Sequence, residues 1–256
     1  MTVHYETDGP IAIVTIDRPE VANAVDGDTA DRLVEAFQRF DKDTDLSVAV
    51  LTGAKGKFCA GGDLKAMMGG RSITVTLEGP GPLGPTRMML SKPVIAAVEG
   101  HAVAGGLELA LWCDMRVAAH DATFGVYCRR WGIPLCDGGT VRLPRLIGQS
   151  HALDMILTGR GVGGEEAARM GLVNRLCEPG EALATALSLA RALARLPQTC
   201  LRSDRQSMYE QWDAGLDDAL RRESELGLAV IGSGETVAGL GKWRSGAWSF
   251  ADFVDG

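Results

Sequence analysis

Two glycine-rich turns are the strongest candidates for chemistry in this sequence. One contains Gly62 and follows the strand-like run 48–53; the other contains Gly105 and follows the run 93–98. Glycine lets the backbone approach a ligand closely because no Cβ intervenes, and a helix start leaves N–H groups free. Two such turns on adjacent strands can direct two amides at one carbonyl oxygen and stabilise its developing negative charge. Taken alone, either turn is more often structural.

Glu108 lies three residues after Gly105, about one turn into the predicted helix, in the otherwise apolar run 107–112. A carboxylate is costly to bury unless it is paired or used. Burial would raise its pKa and suit it to proton transfer. The alternative is a surface glutamate on a solvated helix face, but the apolar neighbours of Glu108 favour a functional role.

The first half of the chain alternates apolar runs with helical patterns, which favours an α/β fold with parallel strands and crossover helices. Beyond about residue 149 the pattern is almost entirely helical. The strands are predicted at 11–16, 48–53, 93–98 and 115–119, with a short one at 172–175. The helices are predicted at 28–40, 87–90, 151–157, 164–170, 181–196, 198–209 and 215–231. The Gly/Pro-rich segment 69–86 is predicted to be either a functional loop or a mobile surface loop.

Composition narrows the class of protein further. The 256 residues are 46% hydrophobic and 23% charged, a composition typical of a globular chain. The net charge of -7 argues against a nucleic-acid partner. The six cysteines form no C-x-x-C pair, so zinc-ribbon and thioredoxin-type sites are not expected. No metal site, signal peptide or membrane span is predicted, and the expected compartment is the cytoplasm.

A set of longer motifs resembles the enoyl-CoA hydratase/isomerase (crotonase) family. Each motif is common alone, but their order and spacing over about residues 3–196 are specific, and the likeness continues more loosely to the C-terminus. The motifs are IDRPE at 16–20, FCAGGDL at 58–64, KPVIAAVEG at 92–100, AGGLEL at 104–109, FG at 124–125, GGT at 138–140, LPRLIG at 143–148, LTGR at 157–160, EEA at 165–167 and GLV at 171–173.

The resemblance implies a spiral of ββα units with a C-terminal helical trimerisation region. It predicts a core at 1–196 that carries the acyl-CoA site and an oligomerisation region at 197–256, in a homotrimer or homohexamer. Coenzyme A would be part of the substrate, with no separate cofactor. An aromatic tail is predicted to pack either on a neighbouring subunit or on its own body: Trp243, Trp248, Phe250 and Phe253.

The resemblance also implies roles for individual residues. The amides of Gly62 and Gly105 would form the oxyanion hole, and the helix after Gly62 would begin near the CoA phosphates. The basic residues that the family usually has after Pro-Glu are here Val21 and Ala22, so Lys65 or Lys242 would hold the nucleotide. The residues expected along the CoA arm are Ala22, Ala24, Ala60, Gly62, Asp63, Leu64 and Lys65.

The sequence departs from a standard hydratase of this family at one catalytic position. The first of the two water-holding glutamates matches Glu108, but the second falls at Cys128, and a thiol does not hold water as a carboxylate does. Asp137 is either the second carboxylate or an Asx cap of the helix that follows. The pair Arg129 and Arg130 either binds an acidic acyl group or is solvated.

The predicted function is an acyl-CoA enzyme of enoyl-CoA hydratase type that stabilises an enolate in the two-amide hole. Two alternatives stay open: an enoyl-CoA isomerase that uses Glu108 and Asp137, and a non-catalytic acyl-CoA-binding homologue. A peptidase on a similar spiral is disfavoured because no matched serine–histidine pair is evident. The G-x-G-x-x-G match at 159–164 follows a helical pattern rather than a strand, so it does not indicate a dinucleotide site.

Overall fold

The structure, a computed structural model, describes residues 2–69 and 73–246. Within these residues the chain forms nine strands and ten α-helices. The strands are β1 Val3–Asp8, β2 Ile11–Ile16, β3 Val48–Gly53, β4 Val94–Val98, β5 His101–Val103, β6 Met115–Ala119, β7 Thr123–Gly125, β8 Gly161–Gly163 and β9 Arg175–Cys177. The helices are α1 Gly27–Lys42, α2 Leu64–Met68, α3 Gly105–Trp112, α4 Gly139–Ile147, α5 Gln149–Thr158, α6 Gly164–Arg169, α7 Ala182–Ala194, α8 Gln198–Glu210, α9 Leu216–Gly232 and α10 Glu235–Arg244. Short 3-10 helices span Pro19–Val21, Pro85–Arg87, Tyr127–Trp131 and Gln211–Asp213.

The main sheet has six strands in the order β1-β2-β3-β4-β6-β9, all parallel except the pair β1 and β2. A smaller sheet has the order β5-β7-β8. The chain passes from β4 in the large sheet to β5 in the small one and then into α3, which is one ββα unit. Because β3 and β4 are neighbours, the segments that follow them emerge at the same edge of the sheet.

The main sheet is buried on both faces, which explains why its central strands are apolar throughout. One face packs on α7, through residues such as Val50 and Ile95 against Ala186. The other face packs on the larger core cluster, which includes α1 and α3. There Phe37 and Trp112 meet edge to face with ring centroids 4.8 Å apart. The helix α3 is buried along its whole length, so its position is fixed on every side.

The predicted elements and the structure agree for the long segments. The strands predicted at 11–16, 48–53, 93–98 and 115–119, and the helices predicted from 28–40 and from 151 onward, are confirmed within a few residues. The helix predicted at 87–90 is wrong: the turn there is the 3-10 helix Pro85–Arg87, which Pro85 begins. The strand predicted at 172–175 instead lies at Arg175–Cys177. The three-residue strands β5, β7 and β8 were not predicted, since they are too short for a periodic pattern.

The helices α8 to α10 follow Pro197 and attach to the core through Asp114. Arg205 pairs with Asp114 at 2.7 Å, and the Tyr209 hydroxyl donates to the same carboxylate at 2.8 Å. The division of the chain at 196/197 stays a prediction. Trp243 is exposed, whereas Trp248, Phe250 and Phe253 lie outside the described residues. Among the helices that the structure describes, none is long and apolar enough to cross a membrane.

Candidate active site

The turn at Gly62 begins in the loop after β3 and leads into α2. Gly61 has φ +93°, and a Cβ placed there would lie 2.8 Å from the amide nitrogen of Gly105. Only glycine therefore lets the two turns approach this closely. Backbone hydrogen bonds join them: Cys59 donates to His101 at 2.9 Å, and Val103 donates to Cys59 at 3.1 Å.

The turn at Gly105 follows β5 and is shaped by tight packing. Ala104 occupies a strained conformation with φ +53° and ψ −127°, and its amide donates to Gly125 at 2.8 Å. A Cβ at Gly105 would lie 2.1 Å from Leu83 Cδ1, and one at Gly106 would lie 2.0 Å from the Cys59 carbonyl oxygen. The backbone of this turn is thus enclosed by its neighbours.

The two turns leave two amides available to a ligand. In the part of the chain that the structure describes, neither the Gly62 nor the Gly105 N–H donates to a protein acceptor. Both residues line one cavity of about 310 Å³ with largely apolar walls. Glu108, Asp137 and Cys128 line the same cavity. The structure therefore brings the residues predicted for catalysis and for the oxyanion hole to one place.

Glu108 is held in that cavity by the turn between the Tyr127–Trp131 helix and α4. Its Oε1 accepts a hydrogen bond of 2.8 Å from the Asp137 amide and another of 2.8 Å from the Gly139 amide. The residue is only 3% exposed. The pKa of Glu108 is raised to about 7, mainly by burial and in part by the Asp137 carboxylate, while the hydrogen bond from the Gly139 amide opposes the rise. Such a group can both take and return a proton near neutral pH.

Asp137 is the second carboxylate of the cavity. Its Oδ1 accepts from the Leu83 amide at 2.9 Å and from the Thr86 hydroxyl. Burial raises the pKa of Asp137, although the Thr86 hydroxyl and the Leu83 amide oppose that effect. The alternative that Asp137 is an Asx cap of α4 is wrong, because Gly138 is the cap residue and no side chain caps that helix. The carboxylate turns instead toward the 83–86 segment.

Cys128 lies on the 3-10 helix Tyr127–Trp131 and is buried. Burial first, and the nearby Glu108 carboxylate second, raise the pKa of its thiol. The thiol is therefore protonated and neutral at pH 7, and it supplies no charge to the cavity. Cys136, a second thiol on the cavity wall, also has a pKa raised mainly by burial.

The residues expected along the CoA arm fall into two groups. Ala60, Gly62 and Leu64 line the cavity, and Lys65 is exposed nearby on α2. Asp63 points elsewhere: its carboxylate pairs with Arg18 at 2.9 Å and accepts from the amides of Lys65 and Ala66. These two amides at the start of α2 are thus occupied by Asp63, which leaves fewer donors for a phosphate than expected.

Ala22 and Ala24 support the Gly62 turn through their backbone. The Ala60 amide donates to the Ala22 carbonyl at 3.1 Å, and Arg18 donates to the Ala24 carbonyl. Neither alanine lines the cavity.

The remaining candidates lie outside the cavity. Arg129 donates to the Ile156 carbonyl at 3.2 Å and Arg130 to the Gly159 carbonyl at 3.1 Å, and both side chains are exposed. They line the surface next to α5 rather than the cavity that contains Glu108. No cluster of metal-ligating side chains occurs in the described ranges 2–69 and 73–246.

Three residues that hold the site were not predicted from the sequence. Leu83 and Thr86 contact Asp137 from a segment more than 50 residues away, and Arg142 donates to the Asp137 carbonyl. The Gly/Pro-rich character of 69–86 marked that segment as functional or mobile, but no sequence pattern indicated these contacts.

Comparison with known proteins gives consistent matches over nearly the whole chain. The model of the family "Enoyl-CoA hydratase/isomerase" matches residues 6–242. The enoyl-CoA hydratase EchA19 of Mycobacterium tuberculosis is 36% identical over 247 residues, which is 91% of this chain and 90% of that protein. A carnitinyl-CoA dehydratase of Salmonella arizonae is 44% identical over 189 residues, 73% of this chain and 72% of that protein.

A solved structure shows the same likeness in three dimensions. The crystal structure of enoyl-CoA hydratase EchA1 from Mycobacterium marinum superposes with a TM-score of 0.90 at 37% identity and covers 95% of this chain and 96% of that one. This match confirms the predicted α/β fold with a C-terminal helical region.

Proposed function

Because the chain belongs to the enoyl-CoA hydratase/isomerase family, we propose that it adds water reversibly across the double bond of an enoyl-CoA, with Glu108 as the proton-transfer group. The observation that carries this proposal is the position of Glu108. Its carboxyl group is buried in the same cavity as the free amides of Gly62 and Gly105, and its pKa is raised to about 7. It can therefore serve as base and as acid within one turnover.

In the proposed reaction the thioester oxygen accepts hydrogen bonds from the amides of Gly62 and Gly105. The ionised Glu108 takes a proton from water as the water oxygen bonds to C3. The electron pair of the C2–C3 double bond moves toward the thioester oxygen, whose negative charge the two amides stabilise. Protonated Glu108 then gives the proton to C2, so that one water has been added and the carboxylate is restored.

Asp137 supports this chemistry in place of a second glutamate. Its Oδ1 is anchored by the Leu83 amide and the Thr86 hydroxyl, which leaves Oδ2 for a water molecule. Cys128 occupies the position that the family resemblance assigned to the second glutamate, and a neutral thiol there contributes packing. We infer that water is held between Glu108 and Asp137.

The reverse direction and a related reaction fit the same groups. The carnitinyl-CoA dehydratase relatives support dehydration of a 3-hydroxyacyl-CoA, which is the same reaction run backward. Isomerisation of a 3-enoyl-CoA to a 2-enoyl-CoA is the second candidate, because Cys128 leaves Glu108 as the only carboxylate at a position matched by the family. Glu108 would then carry a proton from C2 to C4 without adding water.

The test uses the purified protein with a panel of 2-enoyl-CoA and 3-enoyl-CoA thioesters in ¹⁸O-labelled water. Hydration predicts ¹⁸O at C3 of the product, whereas isomerisation predicts a moved double bond without the label. The proposal predicts that Glu108→Gln lowers the turnover of either reaction by roughly 10²–10⁴ while the thioester still binds. Binding without any turnover across the panel would contradict the proposal and leave the non-catalytic acyl-CoA binder.

We propose in addition that the chain assembles as a homotrimer or homohexamer. Large apolar side chains on α9 and α10 are exposed, among them Leu228 at 68% and Val237 at 72%. An exposed apolar surface of this size usually marks a contact with another protein chain, and here we propose a second copy of this chain. Light scattering at micromolar concentration should give three or six times the mass of one chain, and a monomer would contradict this.

A further inference from the structure

We propose that Arg142 is a positioning residue that holds the turn 137–139 against Glu108. The inference rests on the proposed function for its kinetic readout, but it concerns a residue that makes no contact with the reacting atoms. Arg142 lies on α4, three residues after Gly139, and it joins two segments that are far apart in sequence.

The guanidinium of Arg142 makes one hydrogen bond to each segment. Nη1 donates to the Asp137 carbonyl at 2.9 Å, and Nη2 donates to the Thr86 carbonyl at 2.6 Å. The Thr86 hydroxyl in turn donates to the Asp137 carboxylate. Arg142 therefore closes a loop of contacts in which Thr86 and Asp137 are each held at two points.

The Asp137 peptide relays this contact to the catalytic group. Its carbonyl faces Arg142, while its N–H and that of Gly139 donate to Glu108 Oε1. Gly138, between them, has φ +95°, and a Cβ there would lie 2.2 Å from Arg142 Nη1. Glycine at 138 thus lets the guanidinium lie directly against the turn. Movement of Arg142 would move both donors of Glu108 together.

The Arg142 side chain is partly buried, and its guanidinium bonds to backbone carbonyls. Within the described chain, its side chain forms no salt bridge with a carboxylate, and its donors are used on backbone carbonyls. The ionisable groups near it are Glu108, Asp137, Tyr209 and Cys113. Its positive charge lowers the pKa of Asp137 among other effects. Removal of the charge should therefore favour protonation of the two carboxyl groups.

A second cavity of about 610 Å³ lies on the far side of the turn and includes Arg142 in its wall. The same wall contains Arg145, one turn away on α4, which is exposed and stacks over Trp212 at 4.7 Å. This cavity offers an approach for a small guanidinium compound. Arg145→Ala is a matched control, since it removes an arginine from the same helix and cavity without touching the turn.

The experiment compares Arg142→Met, Arg142→Lys, Arg142→Ala and Arg145→Ala with the parent enzyme. We expect Arg142→Met to lower kcat by about 10²-fold with little change in KM, because misplacement of a catalytic group has about that effect. The kcat of Arg142→Lys should lie between those of Arg142→Met and the parent, because an ammonium lacks the planar fork that reaches both carbonyls. Methylguanidine should restore part of the activity of Arg142→Ala, and Arg145→Ala should behave as the parent.

The pKa of Glu108 gives a readout that does not depend on turnover. The difference in unfolding free energy between the protein and its Glu108→Gln variant is measured as a function of pH, and its pH dependence gives the pKa of Glu108. The same measurement is repeated with Arg142→Met present in both proteins. We expect that pKa to rise by about one unit when Arg142 is replaced, from the lost charge and the loosened amides. A protein without turnover would contradict the proposed function, and this measurement would still decide the role of Arg142.

Three results would overturn the inference. One is a folded Arg142→Met with parental kcat and an unchanged pKa of Glu108. Another is an equal loss of activity in Arg145→Ala, which would indicate a general effect of α4. If Arg142→Met does not fold, Arg142→Lys and Thr86→Val decide: full activity with an unchanged pKa of Glu108 in both would contradict the inference.

Discussion

Asp63 follows Gly62 by one residue and Glu108 follows Gly105 by three, so each glycine turn carries one carboxylate into the interior. The two residues are 6% and 3% exposed, and both accept backbone hydrogen bonds. They differ in their charged neighbours. Asp63 faces the Arg18 guanidinium at 2.9 Å, whereas Glu108 faces the carboxylate of Asp137.

Because their charged neighbours differ, the pKa values of Asp63 and Glu108 shift in opposite directions. Although burial raises the pKa of Asp63, the Ala66 amide and the Arg18 guanidinium outweigh it and lower that pKa below its usual range. The pKa of Glu108 is raised to about 7, mainly by burial, and within the described residues no cation forms an ion pair with its carboxylate. Burial alone therefore does not make a carboxylate reactive. The partner decides whether the group is fixed as a charge that supports a turn or is left able to exchange a proton.

Of the changes proposed here, glycine-to-alanine substitutions should show the largest difference in stability between the two turns. We expect Gly106→Ala to cost more than about 5 kcal/mol and to prevent folding, because its Cβ would meet the Cys59 carbonyl oxygen at 2.0 Å. Gly62→Ala should cost under about 1 kcal/mol, because its Cβ meets the flexible end of Met67 at 3.0 Å. Circular dichroism shows whether each variant folds, and urea unfolding gives the stability of each one that does. Similar results for the two variants would contradict the contrast between an enclosed and an open turn.

The Gly62 turn should depend instead on its ion pair. Arg18→Met leaves the buried carboxylates of Asp63 and Asp26 unpaired, and we expect a loss of about 3–5 kcal/mol. Arg32→Met on α1 is the control, because its pair with Asp28 is exposed and should contribute nothing measurable. If urea unfolding shows no loss in Arg18→Met, the ion pair does not hold this turn.

The two carboxylates should also give stability changes of opposite sign with pH. Glu108 has a raised pKa in the folded protein, so its ionisation costs stability as pH rises from about 4.5 through 7. Glu108→Gln should therefore stabilise the folded protein by up to about 3 kcal/mol at pH 8 and should have no effect on stability at pH 4. Asp63 has a lowered pKa, so its contribution is present above its usual pKa and is lost as pH falls through the folded value. Asp63→Asn should therefore destabilise at pH 7. Unfolding measured from pH 4 to 8 would contradict this if both variants changed in the same direction.

The sequence predicted the parts of the site that depend on local pattern. The runs before Gly62 and Gly105 are apolar enough to be recognised as strands, and Glu108 stands out as an acid in an apolar helix. The partners of these residues were not predictable in the same way. Arg18 meets Asp63 across 45 residues, and Thr86 meets Asp137 across 51, so no periodic pattern records either contact.

Two departures from expectation have different physical causes. Asp137 directly precedes a helix, which suggested a cap, but Gly138 with its positive φ takes that place and turns the carboxylate toward Leu83. The helix after Gly62 suggested a phosphate site, but Asp63 occupies two of its amides. In the first case a tertiary partner outweighed the local preference, whereas in the second a local N-cap contact took the amides that a phosphate would need.

The most direct test of the central claim is the turnover of two variants on the best substrate of the enoyl-CoA panel. Glu108→Gln should lower kcat by roughly 10²–10⁴, the usual effect of losing a general acid or base, while thioester binding stays within a few-fold of the parent. Cys128→Ala should be nearly silent, because its neutral, buried thiol contributes packing alone. Full activity in Glu108→Gln together with a large loss in Cys128→Ala would contradict the account, since the thiol would then be the working group.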